Sequence, residues 1–374
     1  MKTLFKFIFV FFTCTQIGFA QKAVIPTDDL PPFKKEYKVA LLLPFCFDMP
    51  DKWKIRDIMA DYYEGVEMAI EDLKKQGMNM TLSVYDTRQD SLEVIKILSD
   101  PEMQKLDLLI GPVYDNELIE AEKFCSVYKI PMVSPLRYFP NKTGGEFPLI
   151  NCIPPDSLEF FYQGRHAANA FKNFQVLVVE NNDKQLKPYA ARNFKKGFEQ
   201  AGGKKCSIID GKIKTPLSEW NGKDSLFIFY TSKNSTACGL ALDNANKDKW
   251  IVGGSPDWLD VDRSNYNVFN GVYFYDPYCV PTNDTTYKAM RKTFRTKYGG
   301  DPQRYTFIGY DQLMFFGNAL MAFDRNFYVH ILDRNFRMIH TNYRFIKRGN
   351  LIENAGTNLF YFDNYNLYKA NWRD

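Results

Sequence analysis

Residues Leu106 to Tyr138, LDLLIGPVYDNELIEAEKFCSVYKIPMVSPLRY, contain the pattern of a strand, a turn, a helix and a second strand without interruption. The apolar run Leu108-Leu109-Ile110 ends at Gly111-Pro112, and a short run bounded by turn residues is typical of a strand covered on both faces. Apolar residues then recur at spacings of three and four from Asn116 until a proline ends the helix. The stretch predicts one βαβ unit of a parallel sheet.

In such sheets, ligands bind beyond the carboxyl ends of the strands, which makes 111–116 and 134–138 the first candidate binding surface. Tyr114 offers a stacking face and a hydroxyl, or it fills the pocket. The guanidinium of Arg137 suits a carboxylate or phosphate of a ligand; the alternative is an arginine paired structurally with an acid. The hydroxyl of Ser134 either reaches a ligand or fixes a turn.

The surrounding elements alternate in the order β-α-β-α-β-α-β, which predicts a doubly wound lobe. Its first strand is expected at Lys38–Pro44, and its first helix at Asp61, with Glu64 completing a capping box. After a crossing segment, a second alternating series predicts a second α/β lobe. Two amphipathic helices follow. The tail after them alternates apolar and polar residues, which is typical of antiparallel strands. The 374 residues suit two such lobes.

The N-terminal residues 1–20 have the layout of a cleavable secretory signal, with lysines, an apolar run and small residues before a predicted cleavage after Ala20. Cys14 raises the alternative of a lipoprotein, but the residues before it do not fit a lipobox. No later apolar stretch is long enough to span a bilayer. The 48 basic and 44 acidic residues give a net charge of +4 and offer no basic stripe for nucleic acid.

The sequence contains no familiar catalytic motif, so we expect neither an enzyme nor a cofactor. The three histidines are far apart, and a metal site is not expected. Acidic residues after strands, such as Asp86, can serve as acid or base but more commonly fix turns. The irregularly spaced cysteines predict at most one or two disulfide bridges.

Seven segments follow one another along the chain: KVALLLPF, YYEGVEMAIEDLKKQG, LLIGPVYDN, IPMVSP, INCIPPDS, FNGVYFYDP and KYGGDPQRYTFIGYDQLMFFGNAL. In order and spacing, they together resemble the type I periplasmic binding proteins, the fold of leucine/isoleucine/valine-binding proteins. The tail NAGTNLFYFDNYNLYKANW is similar to a Bacteroidetes-type group of binding-protein-like chains, some of which carry a LysM module.

This resemblance implies two Rossmann-like lobes that close on a ligand by hinge motion. It assigns 38–150 and 282–328 to the first lobe, and 151–281 and 329–374 to the second. Residues 21–37, which include the Pro-rich stretch Ile25 to Pro32, are predicted to be a linker. The resemblance also implies a ligand-binding set divided between the lobes. The first-lobe members are Tyr114, Asp115, Asn116, Ser134 and Arg137, and the second-lobe members are Asn181, Ser232 and Ser255.

The chain departs from the amino-acid binders at both first-lobe turns, where Val113-Tyr114 and Leu136-Arg137 replace small and hydroxyl residues. Two functions are therefore compared. The first is an exported solute-binding protein that captures a small ligand for a transporter or sensor, including amino-acid transport. The second is a non-catalytic envelope protein similar to a penicillin-binding-protein activator, whose partner is a peptidoglycan synthase. A shared fold does not decide between them.

Overall fold

The computed structural model describes most of the chain, and the structural statements below concern that part. It comprises residues 36–140, 144, 147–171, 173–180, 189–210, 225–232, 250–254, 272–276, 284–363 and 366–369. The predicted signal sequence lies outside these residues. Among the described helices, none has the length and apolarity needed to cross a bilayer.

The described strands, in chain order, are β1 (Tyr37–Leu43), β2 (Met80–Asp86), β3 (Leu108–Ile110), β4 (Met132–Ser134), β5 (Leu149–Asn151), β6 (Gln175–Glu180), β7 (Cys206–Asp210), β8 (Leu226–Tyr230), β9 (Trp250–Gly254), β10 (Val272–Asp276), β11 (Asn335–Arg337), β12 (Asn342–Arg348), β13 (Leu351–Asn354), β14 (Asn358–Asp363) and β15 (Asn366–Lys369). The described helices are α1 (Trp53–Lys75), α2 (Ser91–Leu98), α3 (Asp115–Tyr128), α4 (Asp156–Ala170), α5 (Tyr189–Gln200), α6 (Thr285–Tyr298), α7 (Arg304–Phe323) and α8 (Phe327–His330), with short 3₁₀ turns at Pro50–Lys52, Pro101–Lys105 and Asp324–Asn326.

The first sheet has the strand order β11-β12-β13-β5-β4-β3-β1-β2. Strands β1 to β5 pair in parallel, as the βαβ pattern predicts. Strand β1 is covered on both faces: Val39 and Leu41 belong to the core beneath α1 and α7, whereas Ala40 and Leu42 belong to the core beneath α2 and α3. This double burial is why the strand is almost continuously apolar.

The second sheet has the order β15-β14-β10-β9-β8-β6-β7. Strands β6 to β10 are parallel to their neighbours, and β14 and β15 are antiparallel. Its core is rich in aromatic rings, including the stacked pairs Phe171–Phe227 and Phe194–Phe229, with centroids 4.0 and 4.5 Å apart. Burial accounts for these phenylalanines, so they are not evidence of a ring-binding surface.

The tail contributes strands to both sheets, which differs from the sequence-based assignment of 329–374 to the second lobe. Strands β11 to β13 join the first sheet, where β13 pairs in parallel with β5. Only β14 and β15 join the second sheet. The alternation of apolar and polar residues predicted the strands but not their sheet, because a period of two is the same beside any neighbour.

Asp311 on α7 fixes the turn that leads into β12. Its buried carboxylate accepts backbone N–H bonds from Ile339, His340 and Thr341, at 3.1, 2.8 and 2.8 Å. Burial raises the pKa of Asp311, whereas the three N–H donors act to lower it. The arrangement ties the first residues of the tail strands to a helix of the first lobe.

Helix α1 begins at Trp53, eight residues before the predicted start at Asp61. Pro50 opens the preceding 3₁₀ turn, and the helix continues from it without a break. Asp61 therefore lies inside the helix, where burial, and then the charge of Asp57, raises its pKa. The expected capping box was wrong because an acidic pair at this spacing also occurs on the side of a helix.

Paired glycines allow two helices to cross at backbone distance in each lobe. A Cβ atom on Gly65 of α1 would overlap the carbonyl oxygen of Thr306 on α7, and one on Gly309 of α7 would overlap that of Tyr62. In the second lobe, Gly164 of α4 and Gly197 of α5 have the same relation. Both crossings therefore require residues without side chains.

We predict that Gly65→Ala destabilises the protein by about 1–3 kcal/mol or more, because the methyl group must push α1 away from α7. Gly300→Ala is the matched control, since a Cβ there meets nothing within 4 Å. Urea denaturation of the two variants measures the difference. Equal stability of both variants would contradict the close crossing.

Candidate functional site

Four loops meet at the carboxyl edge of the first sheet, following β1, β2, β3 and β4. Asp86 at the end of β2 joins the first two loops, because its carboxylate accepts backbone N–H bonds from Cys46 at 3.0 Å and Phe47 at 3.2 Å. It also accepts the N–H of Arg88 at 2.9 Å. Asp86 therefore fixes a turn, which is the commoner of the two roles considered for it.

Tyr114 lies where these loops converge. Its hydroxyl is hydrogen-bonded by the side chain of Gln89 from the β2 loop, and it interacts electrostatically with Cys46 and Arg137 from the β1 and β4 loops. Partial burial is the main cause that raises the pKa of Tyr114. Its backbone N–H donates to the Glu117 carboxylate at 3.1 Å, which caps α3. The ring is thus held in place and half-exposed at the edge of the sheet.

Two ion pairs flank Tyr114. Arg137 Nε lies 3.1 Å from Asp115 Oδ1, with 51% and 39% of the two side chains exposed. Arg88 pairs in the same way with Asp48. Structural pairing, the alternative considered for Arg137, is therefore present. We call this edge of the first sheet, with its four loops, the first-lobe wall. Since each cation already has an anion beside it, the first-lobe wall has little net charge to attract a simple anion.

Three contacts hold the β4 loop that carries Arg137. The buried Ser134 hydroxyl donates to the carbonyl oxygen of Arg137 at 2.6 Å, and the Tyr138 hydroxyl donates to Glu353 on β13 at 2.7 Å. Gln312 on α7 donates to the carbonyl oxygen of Pro135 at 2.7 Å. These contacts leave the guanidinium of Arg137 at the exposed tip of a fixed loop.

Gln312 also links this loop to the helix crossing of the first lobe. Its side-chain oxygen accepts a hydrogen bond of 2.6 Å from the hydroxyl of Tyr62 on α1. Both side chains are fully buried. A buried amide that donates on one side and accepts on the other is costly to disturb, so the β4 loop inherits the rigidity of the helix pair.

Phe47 adds an exposed aromatic ring to the same edge. Its side chain is 66% exposed and stacks at 5.1 Å on Phe45, which packs edge-on against Tyr63 of α1. Phe47 was not selected from the sequence, because apolar residues continue from β1 into its loop without a change of pattern. An exposed ring supported by one buried and one partly buried ring offers a surface for an apolar or ring-shaped part of a ligand.

No protein-family model matches the sequence, and no curated protein matches it. Solved structures match along nearly the whole chain. A putative branched-chain amino acid ABC transporter from Rhodospirillum rubrum is 14% identical, with a TM-score of 0.68 over 90% of this chain and 100% of that chain. The chain has the type I periplasmic binding protein fold.

Two further structures with this fold represent different functions. The ABC transporter substrate-binding protein from Desulfitobacterium hafniense, in complex with leucine, is 17% identical, with a TM-score of 0.56 over 90% of this chain and 100% of that chain. The C-domain of LpoA from Haemophilus influenzae, a regulator of PBP1A, is 14% identical, with a TM-score of 0.60 over 89% of this chain and 100% of that domain. The two-lobe fold expected from the sequence is confirmed.

The predicted site residues have different positions on this fold. Tyr114, Asp115, Asn116 and Arg137 lie at the carboxyl edge of the first sheet, where Ser134 is buried beneath them. Ser232 follows β8 in the second lobe and is buried. Asn181 and Ser255 lie outside the described residues. That the second-lobe residues face the first-lobe wall stays a prediction.

The described residues contain no group of three or more metal-ligating side chains. None of the four described cysteines, Cys46, Cys125, Cys152 and Cys206, forms a disulfide bridge. Burial raises the pKa of each of them, so they remain protonated at neutral pH. Cys46 is the one next to the candidate site, where it packs as a small apolar residue.

We predict that Ser134→Ala destabilises the protein by about 1 kcal/mol, because the carbonyl oxygen of Arg137 loses a partly buried hydrogen bond. Asn116→Ala is the control, since that side chain is exposed in the same surface. Chemical denaturation measures the free energy of unfolding of both variants. If Ser134→Ala instead keeps full stability, the hydroxyl does not hold the loop.

Proposed function

We propose that the chain is an exported, non-catalytic solute-binding protein that captures a small ligand between its two lobes for ABC-type transport or sensing. The observation that carries this proposal is the fold: it matches substrate-binding proteins over their full length, with the TM-score of 0.68 highest among the neighbours described above. The four converging loops support it, because they place fixed aromatic and charged side chains where ligands bind to such sheets.

The chemistry of the first-lobe wall favours a ligand that is neutral or carries both charges. Asp115–Arg137 and Asp48–Arg88 are already paired, so a lone anion must compete with a carboxylate for either guanidinium. A ligand with both charges can satisfy both members of a pair. The exposed ring of Phe47 and the half-exposed ring of Tyr114 suit an apolar or ring-shaped portion of a ligand. Bulk at Tyr114 and Arg137 distinguishes the wall from the small-residue turns of amino-acid binders.

A second function is supported by the LpoA match, whose TM-score of 0.60 over the whole domain exceeds that of the leucine complex. In this alternative, the chain regulates a peptidoglycan synthase by direct contact and needs no ligand. The paired charges of the wall suit it, because they satisfy one another without an occupant. The predicted N-terminal signal is consistent with either function, since both belong to exported proteins.

The test is a thermal-shift screen of the mature protein with leucine, other amino acids, short peptides and muropeptides. A true ligand at 100 times its Kd adds about 2.7 kcal/mol to the free energy of unfolding and raises the melting temperature. If none of these compounds shifts the melting temperature, solute binding is contradicted. Pull-down of a peptidoglycan synthase from envelope extract would then favour the alternative.

We predict that Tyr114→Ala weakens binding of the compound found in the screen by about tenfold or more, and that Arg137→Ala weakens it where the compound carries an anionic group. Tyr128→Ala is the matched control, because Tyr128 is at the opposite end of α3. Calorimetry measures the three affinities. Equal losses of affinity in Tyr114→Ala and Tyr128→Ala would exclude this edge of the sheet as the binding site. Unchanged affinity in Arg137→Ala would exclude Arg137 from the ligand-binding residues.

A further inference from the structure

Helix α6 is the most basic element among the described residues and lies outside the candidate ligand site. Its sequence, TTYKAMRKTFRTKY, contains five basic residues and no acidic one. They are Lys288, Arg291, Lys292, Arg295 and Lys297. The near balance of charge in the whole chain conceals this local excess.

On other surface helices, some lysines are balanced by an acid of the same helix. On α1, α2 and α3, a lysine pairs with an acid three residues earlier, as in Lys75–Asp72, Lys96–Glu93 and Lys123–Glu120. On α6, Lys297 reaches Glu71 of α1 at 2.9 Å. The ion pairs that α6 makes with described residues involve Arg291, Arg295 and Lys297, and not Lys288 or Lys292. Because they lie at i and i+4, they also repel each other.

Arg291 and Arg295 are oriented by a shared carboxylate. Asp301 receives Nε and one Nη nitrogen of Arg291 at 2.7 and 2.9 Å, and the same two nitrogens of Arg295 at 2.5 and 2.7 Å. The second Nη nitrogen of each guanidinium donates to no described residue. Asp301 therefore neutralises one charge and holds both guanidinium groups in fixed orientations, with donors remaining.

These side chains line a shallow recess on one face of α6 that is open to solvent. Its lining consists of Lys288, Arg291, Lys292, Arg295 and Thr296. Four cations and one neighbouring carboxylate leave an excess of three positive charges. The donors come from several separate side chains, which suits an anion with three or four acceptor oxygens better than a planar carboxylate. None of the large exposed apolar side chains lies on α6, so binding there is electrostatic.

We propose that the recess on α6 binds a phosphate group, as a free phosphate compound or as the headgroup of an anionic lipid. The bound anion offsets the repulsion between Lys288 and Lys292 and accepts the remaining guanidinium donors. This site is separate from the first-lobe wall that contains Tyr114, and it does not depend on the function proposed for that wall. Binding weakens as salt is added, because the recess is open to solvent.

The experiment has two arms, both with the mature full-length protein. In the first, calorimetry measures binding of pyrophosphate at low salt. In the second, co-sedimentation compares vesicles of phosphatidylglycerol and phosphatidylcholine with vesicles of phosphatidylcholine alone. The test variant is Lys288→Gln/Lys292→Gln. The control is Lys129→Gln/Lys347→Gln, which removes the same charge from two exposed lysines on other elements.

We expect the test variant to bind about tenfold or more weakly, and the control to bind like the wild type. Binding of pyrophosphate identifies a free phosphate compound as the ligand, and binding only to anionic vesicles identifies a lipid headgroup. The proposal is overturned if neither probe binds, or if the two double variants lose affinity equally. Unchanged melting temperatures confirm that both variants are folded.

Discussion

The close crossing of α1 and α7 is the constraint on which the first lobe depends. Glycines at the contact let the two backbones touch, and this approach brings Gln312 to Tyr62 and to the β4 loop. The same helix holds the turn before β12 through Asp311. One helix pair thus positions the candidate binding edge and the start of the tail. A matching crossing of α4 and α5 in the second lobe shows that each sheet is covered by the same device.

The sequence predicted the parts of the fold that depend on local pattern. Continuous apolar runs marked the central strands, and β1 is buried on both faces as such a run implies. The alternation of apolar and polar residues predicted the strands of the tail. The division of those strands between two sheets was not predictable, because strand pairing between β5 and β13 joins residues about two hundred positions apart. The early start of α1 was missed because the residues after Pro50 lack a regular apolar period.

The candidate site was only partly accessible from sequence. The topology of parallel sheets placed Tyr114 and Arg137 correctly at the carboxyl edge, since that rule needs only the order of elements. The partners of these residues were not accessible. Gln89 contacts Tyr114, and Asp115 pairs with Arg137, only because loops from different strands converge in the folded chain. Phe47 is distinguished from Phe45 by its exposure alone. Ser134 illustrates the opposite case, where a hydroxyl suited to a ligand is used by the chain itself.

The placement of the tail has a consequence for the order in which the protein folds. Strand β13 covers the side of β5, and β14 covers the side of β10, so the final segment of the chain completes both sheets. Until that segment has been synthesised, each sheet presents unpaired backbone groups along one side, where other chains can add. Neither lobe reaches its final form early. Late completion makes the emerging chain dependent on protection from aggregation.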